Sequence, residues 1–242
     1  LPPSLRIALD GNEANVANRV GSNVYASEII RELELITRAR PDISVTVLLA
    51  QPALPHLPAP RPGWEYLVVS PPKLWTQWAL PIHLFWRKAD YDVLFCPGHY
   101  APRFSSIPYI SSVMDLAFFK YPDDLKKSDQ LQLTSWTEYS VKRATKVVAI
   151  SEFTKKEICK IYNKSKDDVL VAYPSVSLEA KPNWKHYERF MRQHQVTGPY
   201  ILTVGTLQPR KNLIRLIEAF ENIATEQFTS PALPSPIKKS RS

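Results

Sequence analysis

A doubly wound α/β fold, with helices covering both faces of a parallel sheet, is the class this sequence predicts. Three observations carry it. Short β-type runs recur along the first two thirds of the chain, from Arg6–Asp10 to Val169–Tyr173. Stretches of helical period lie between several of them, as the crossovers of parallel strands require. The chain has 242 residues, 44% hydrophobic and 22% charged, enough for one large core or two modest ones.

The first strand is Arg6–Asp10, and a loop runs from it through Gly21. A helix over Ser22–Ile36 follows, because Ala26, Ile29, Ile30, Leu33 and Ile36 form one apolar stripe at spacings of three and four. Ser44–Ala50 is a second strand. Gln51–Gly63 carries five prolines and reads as an irregular connection. A short strand is expected at Glu65–Val69 and a helix over Trp75–Lys88, kinked or restarted at Pro81 because proline has no N–H to donate. Asp92–Cys96 and Tyr109–Met114 are strands, and a long helix fills Leu125–Arg143. Strand Lys146–Ile150, helix Phe153–Tyr162 and strand Val169–Tyr173 complete the set.

Residues 1–174 therefore hold the strands of one complete Rossmann-like domain. Residues 175–199, polar and aromatic with Pro182 and Pro199, read as an interdomain connection. A second α/β unit opens with an apolar run at Tyr200–Val204 and a helix from Leu213 to Ala224. The tail 225–242, with three prolines and a basic end, is expected to be disordered.

Cys96 and Cys159 are the only cysteines and form no CxxC, so neither a disulfide framework nor a metal site is predicted. A reducing cytoplasm is the default expectation. No apolar run approaches the roughly 20 residues a membrane span needs. The net charge of +8 is uneven, with residues 1–120 holding 11 Lys/Arg against 10 Asp/Glu and residues 121–242 holding 20 against 13. Eight cations face two acids between Lys142 and Lys166. That concentration suits a nucleotide, an acidic lipid surface or nucleic acid, although a solvated helix face explains it equally. No RNP-type or zinc-finger motif accompanies it, so nucleic acid is not an expected partner.

Two junctions point to phosphate chemistry. Gly21 precedes a helix start, where free backbone N–H groups attract an anion and a glycine permits close approach. Gly205 ends the Tyr200–Val204 run, and Arg210-Lys211 stand just before the next helix, adding charge where a diphosphate would sit. Ser151 ends a strand on the side where open α/β sheets bind ligands. Trp75, Trp78, Phe85 and Trp86 share one predicted helix with Arg87 and Lys88 behind them. A buried sheet-packing helix and an interfacial membrane helix both fit, and burial is the favoured reading. The helix after Phe153 carries Lys156, Lys160 and Lys164 as a basic stripe at fourfold spacing.

Five motifs together resemble the family-4 glycosyltransferases of the two-domain GT-B architecture. They are Leu9-Asp10-Gly11 with its loop to Gly21; Asp92-Val-Leu-Phe-Cys-Pro97; Val113-Met-Asp-Leu116; Val148-Ala-Ile-Ser-Glu-Phe-Thr-Lys155; and Val204-Gly-Thr-Leu-Gln-Pro-Arg-Lys-Asn212. The resemblance implies transfer, with retention and without a metal, from a nucleotide-sugar donor to a glycan or lipid-linked acceptor. It places the donor between two Rossmann-like domains and the acceptor mainly on the first. It implies that Gly21, Arg210 and Lys211 hold the diphosphate, with Ser151 lining the cleft. Asp115 and His99 are the candidate catalytic residues beside the sugar or acceptor. Met114 departs from the family, many members of which have a histidine there, and a methionine thioether neither donates a strong hydrogen bond nor carries a proton. Family members also continue far past the Lys-Asn pair, so the expectation is a truncated, weakly active or inactive form. Peripheral contact with an anionic membrane is a further expectation, and a non-catalytic glycan- or lipid-binding module is the alternative.

Overall fold

The computed structural model describes residues 5–98, 100–122, 126–175, 183–196, 200–205 and 207–229. The chain divides into two compact units, Leu1–Glu179 and Ala180–Ser242. Each is described by itself.

The first unit is a seven-stranded sheet in the order β3-β2-β1-β4-β5-β6-β7. Its strands are β1 (Leu5–Asp10), β2 (Ile43–Leu49), β3 (Trp64–Val68), β4 (Val93–Cys96), β5 (Tyr109–Val113), β6 (Lys146–Ala149) and β7 (Val169–Val171). Every pairing is parallel. The helices are α1 (Ser22–Arg38), α2 (Leu80–Trp86), α3 (Ala117–Lys120), α4 (Lys127–Arg143) and α5 (Glu152–Tyr162). This is the Rossmann-like α/β architecture expected from the strand pattern.

Side chains alternate across the sheet, so neighbouring residues of one strand enter different cores. Leu9, Val47 and Leu49 pack with Ala26 and Ile30 of α1 and with Trp64. Ala8 and Leu48, each one residue away, join Leu94 and Val147 against Leu80 and Leu84 of α2, Val141 of α4 and Ile158 of α5. The sheet is thus sealed on both faces. Burying each such aliphatic side chain contributes roughly 1.5–3 kcal/mol.

The proline-rich connection after β2 is anchored by charge. Glu34 of α1 is buried to 3% and accepts from Arg61 Nε at 2.6 Å, while Arg38 Nη2 lies 2.9 Å from its other oxygen. Arg38 first, then Arg61, holds the Glu34 carboxyl below its ordinary range despite burial. Arg61 also donates to the carbonyls of Glu34 and Pro62 and to Thr37 Oγ1, so most of its fork is used.

Local order departs from the sequence reading at four places. The helix around Pro81 opens with a π-helical turn, Trp75–Ala79, before α2 begins. Pro81 cannot donate to the carbonyl four residues back, and the wider register accommodates that missing bond. On this helix Trp75 is buried, but Trp78, Phe85 and Trp86 are 62%, 57% and 77% exposed. The expectation of a buried aromatic helix therefore fails for three of the four rings.

The other departures lie in the second unit. The stretch read as a connection contains helix α6 (Trp184–Gln193), capped by Asn183, whose Oδ1 accepts from the His186 N–H at 3.1 Å. Tyr200–Val204 forms no strand; no other strand of the described residues pairs with it, and an apolar run without a neighbour has nothing to hydrogen-bond. Helix α7 spans Leu213–Thr229, past the expected end at Ala224. The rest of the tail, 230–242, lies outside the described residues.

Gly11 is the tightest point of the first unit. A Cβ there would lie 2.5 Å from Val47 Cγ1 and 2.7 Å from Leu49 Cδ2. Both neighbours are wholly buried and have little room to withdraw. Gly11→Ala is expected to destabilise the fold by about 1–3 kcal/mol, read as a lower urea midpoint with an unchanged slope.

Candidate functional site

The sheet reverses direction at β1. The chain builds β2 and β3 on one side of β1, then returns to place β4 on the other. At such a point the loops leaving the two central strands diverge and open a crevice at the carboxyl edge. Here the exits are Asp10-Gly11 from β1 and Pro97-Gly98 from β4.

The β1 exit loop is held by its own polar side chains. Asp10 Oδ1 accepts the Asn12 N–H at 3.1 Å, and Asn12 Oδ1 accepts the Ala50 N–H at 2.7 Å. Asn15 Oδ1 accepts the Leu54 N–H at 2.8 Å, while its amide donates to the carbonyls of Gln51 and Pro52. Glu13 Oε1 accepts from Ser22 Oγ at 2.6 Å and from Asn23 Nδ2 at 2.9 Å. The loop is thereby tied to the end of β2 on one side and to the first turn of α1 on the other.

Gly21 sits at the N-cap of α1 with φ 47° and ψ −109°, a conformation that strains any residue with a Cβ. No side chain caps this helix end, and its first turn holds no acid. The space where a Gly21 side chain would point is empty to 4 Å. Arg19, exposed, donates to Ser27 Oγ at 3.0 Å, which puts a full positive charge beside the opening turns of α1.

The two exits touch. A Cβ on Gly98 would meet Glu13 Cβ at 3.3 Å, so Gly98 leaves room for the Glu13 side chain. Tyr100 stacks edge-on against Trp136 with centroids 5.2 Å apart. Burial, then the Glu13 charge, pushes its hydroxyl up to about 12. Burial also raises the Cys96 thiol, with Asp10 adding to the effect. Asp10 itself is pushed from 3.8 up to about 7, chiefly by burial and further by Glu13, against the opposing Asn12 N–H.

The residues singled out in the sequence fall as follows. Gly21 stands beside the β1/β4 crevice. Asp115, at the β5 exit, is exposed, and its Oδ1 accepts the Ala117 N–H at 3.0 Å. Ser151, past β6, is the N-cap of α5; its Oγ accepts the Thr154 N–H at 3.1 Å. Neighbouring strands lie about 4.8 Å apart, so Asp10, Asp115 and Ser151 share one edge across roughly 15 Å. His99 lies outside the described residues.

Arg210 and Lys211 belong to the second unit, exposed on the turn Pro209–Lys211 that precedes α7. Arg210 Nε donates to Gln208 Oε1 at 2.9 Å. The stripe on α5 is broken, since Lys164 Nζ donates to the Ala144 carbonyl at 2.6 Å. Among the described residues, no cluster of three or more His, Cys, Asp or Glu has the geometry of a metal site.

Asp10, Glu13, Arg19 and Tyr100 were not identified from sequence as site residues. The one available signal was Asp10, an acid closing an apolar strand directly before a glycine.

No protein-family model matches the chain, and no curated protein matches it. Solved structures of Anabaena Alr3699/HepE are similar to it. The complex with UDP-glucose is 13% identical with a TM-score of 0.48. The complex with UDP is 15% identical with 0.44, and that with UDP and glucose 14% identical with 0.46. Each match covers 79% of this chain and 50% of the HepE chain, so this chain spans about half the length of those proteins.

The raised Asp10 carboxyl has a consequence for stability. Between pH 3.8 and about 7 the native state keeps a proton that the unfolded chain releases. Stability from this group is therefore present at low pH and falls as pH rises through that window. The asparagine of Asp10→Asn keeps the acceptor for the Asn12 N–H but cannot ionise. The variant is expected to lose stability less steeply than wild type between pH 5 and 8. The difference is on the order of 1.4 kcal/mol per unit of pKa shift, measured by urea unfolding at both pH values.

Proposed function

We infer that this chain carries the acceptor-side domain of a retaining, family-4-type glycosyltransferase that uses a nucleotide-sugar donor. One observation carries the reading: four of the five motifs fall together at the carboxyl edge of the sheet. Leu9–Gly11 is the exit of β1, Asp92–Pro97 is β4 with its exit, Val113–Leu116 leaves β5, and Val148–Lys155 leaves β6 for α5. These strands are consecutive neighbours in the sheet. Motifs scattered through the sequence thus become one surface, at the edge where such sheets bind ligands.

In this reaction the bond from the sugar's anomeric carbon to the diphosphate breaks, one to the acceptor oxygen forms, and the acceptor hydroxyl's proton passes to the departing diphosphate. Negative charge grows on the leaving diphosphate. The N-terminus of α1 at Gly21, which has no side-chain cap, and Arg19 beside it supply partial and full positive charge for it. Glu13 would repel phosphate, and so would Asp10 once ionised, above about pH 7. Their role is to accept hydrogen bonds from sugar hydroxyls, which carboxylates do well. Asp115 is a candidate contact to sugar or acceptor, and His99 a candidate on the loop after β4. Ser151 lines the same edge. Arg210 and Lys211 are candidate diphosphate contacts in the second unit. No metal enters this proposal, because the helix end and the cations provide the charge.

Binding is the cleaner test than turnover. The full chain is titrated with UDP-, GDP-, ADP- and dTDP-sugars by calorimetry and by ligand-observed NMR. At least one donor is expected to bind, and Gly21→Ala is expected to weaken it about tenfold or more. That loss corresponds to about 1.4 kcal/mol and arises because the methyl group occupies the space the phosphate needs. Lys211→Ala tests the second unit separately, with a similar loss expected. Circular dichroism confirms that each variant is folded. No binding of any of these sugars by folded protein, or wild-type affinity in both variants, would reject the proposal.

A further inference from the structure

An open groove of roughly 470 Å³ runs along the outer side of α2. Trp78, Ile82, Phe85 and Trp86 line it from the helix, and Arg103 and Phe104 close it from the loop between β4 and β5. The opposite side of the same helix supplies Leu80 and Leu84 to the core. This helix therefore buries one apolar face and presents a second to solvent. Trp78, Ile82, Phe85, Trp86 and Phe104 are each at least half exposed. So large an aromatic cluster on a soluble face marks an interaction surface rather than an accident of packing.

Charge decides what the surface meets. Lys73, Lys88 and Arg103 are exposed along this stretch, and so is Arg87, which pairs with Asp90. The only acids between residues 71 and 104 are Asp90 and Asp92. Both are already in ion pairs, Asp90 with Arg87 and Asp92 with Arg6. The groove lining itself contains no acid and one cation, Arg103. Indole rings flanked by Lys and Arg match the boundary of an anionic bilayer, where amphipathic rings sit at headgroup depth and cations meet lipid phosphates. A partner protein surface would need no such excess of one sign. No helix among the described residues is long and apolar enough to cross a membrane, so the contact lies in the plane of the surface.

We propose that the α2 face, with Trp78, Phe85, Trp86 and Phe104 as anchors and Lys88 and Arg103 as headgroup contacts, docks this protein on an anionic lipid bilayer. The docking is independent of the glycosyltransferase reading, since it uses none of the residues at the carboxyl edge.

The full 242-residue chain is sedimented with vesicles of phosphatidylcholine alone or mixed with phosphatidylglycerol, at low and high salt. Binding is expected to the mixed vesicles and to weaken with salt, as exposed charges are screened. Lys88→Gln with Arg103→Gln is expected to lower that binding by about 25-fold, at about fivefold per cation, without changing the weak binding to neutral vesicles. Trp78→Ser with Trp86→Ser is expected to lower binding to both vesicle types by about tenfold or more. All four residues are exposed, so the variants keep the wild-type melting temperature.

Three results would overturn the proposal. The first is no sedimentation with anionic vesicles. The second is equal binding by wild type and both variants. The third is a self-association that the tryptophan pair abolishes while lipid binding persists, which would assign the face to a second copy of the chain.

Discussion

The structure at the carboxyl edge depends on β1 being hydrogen-bonded along both of its sides. It pairs with β2 from Leu5 to Asp10 and with β4 from Ile7 to Leu9. Its consecutive residues Ala8 and Leu9 are wholly buried, one toward each helical layer. A slip of one residue would exchange the two faces and place each side chain in the wrong core. The register is therefore firmly set. Because the flanking strands come from opposite directions of winding, the chain leaving β1 and the chain leaving β4 have no reason to pack over the strand end. The crevice follows from topology before any side chain is considered.

What the side chains add is rigidity at that opening. A loop of 11 residues, 11–21, joins β1 to α1, and such a loop would ordinarily move. Asn12, Asn15 and Glu13 between them satisfy backbone groups beyond β2 and side chains at the head of α1. Each such hydrogen bond contributes only about 0.5–1.5 kcal/mol. Together they fix the position of Gly21, whose own φ leaves it no competing side chain. The helix N-terminus is thus presented without a side-chain cap, although the Val20 carbonyl accepts the Asn23 N–H at 3.0 Å, while the Ser151 side chain fills the equivalent position on α5. Two helices start at the same edge of one sheet, and one of them has been left without a side-chain cap.

Much of this was legible in the sequence. The strands of the first unit announce themselves as short β-branched runs, and the helices between them require a parallel sheet. Gly21 was legible because a glycine between a strand and an amphipathic helix has few other uses. The rest depended on tertiary facts. The elevated carboxyl of Asp10 comes from its neighbours, which no local pattern reveals. For Trp78 and Trp86, helical spacing shows that aromatics share a helix but not whether a second layer covers them. Pro81 signalled a break, yet the π-turn that resolves it depends on which carbonyl is left over. Tyr200–Val204 has every local mark of a strand. Strands, however, are defined by partners, and the described residues supply none.

The electrostatics of the edge run against the composition of the chain. A protein with a formal charge of +8 places two acids, Asp10 and Glu13, at the centre of its crevice. Burial first, and then the Glu13 charge, lifts Asp10 toward neutrality. Such an arrangement is costly for binding phosphate and favourable for binding neutral, hydroxyl-rich groups, since a carboxylate accepts two or more hydroxyl donors at once. The positive contributions, from the α1 terminus at Gly21 and from Arg19, are not set apart from these acids: Glu13 Oε1 accepts from Ser22 Oγ at 2.6 Å and from Asn23 Nδ2 at 2.9 Å, both in the first turn of α1. The anion-attracting helix end therefore has a carboxylate beside it, which offsets part of its pull on a second anion.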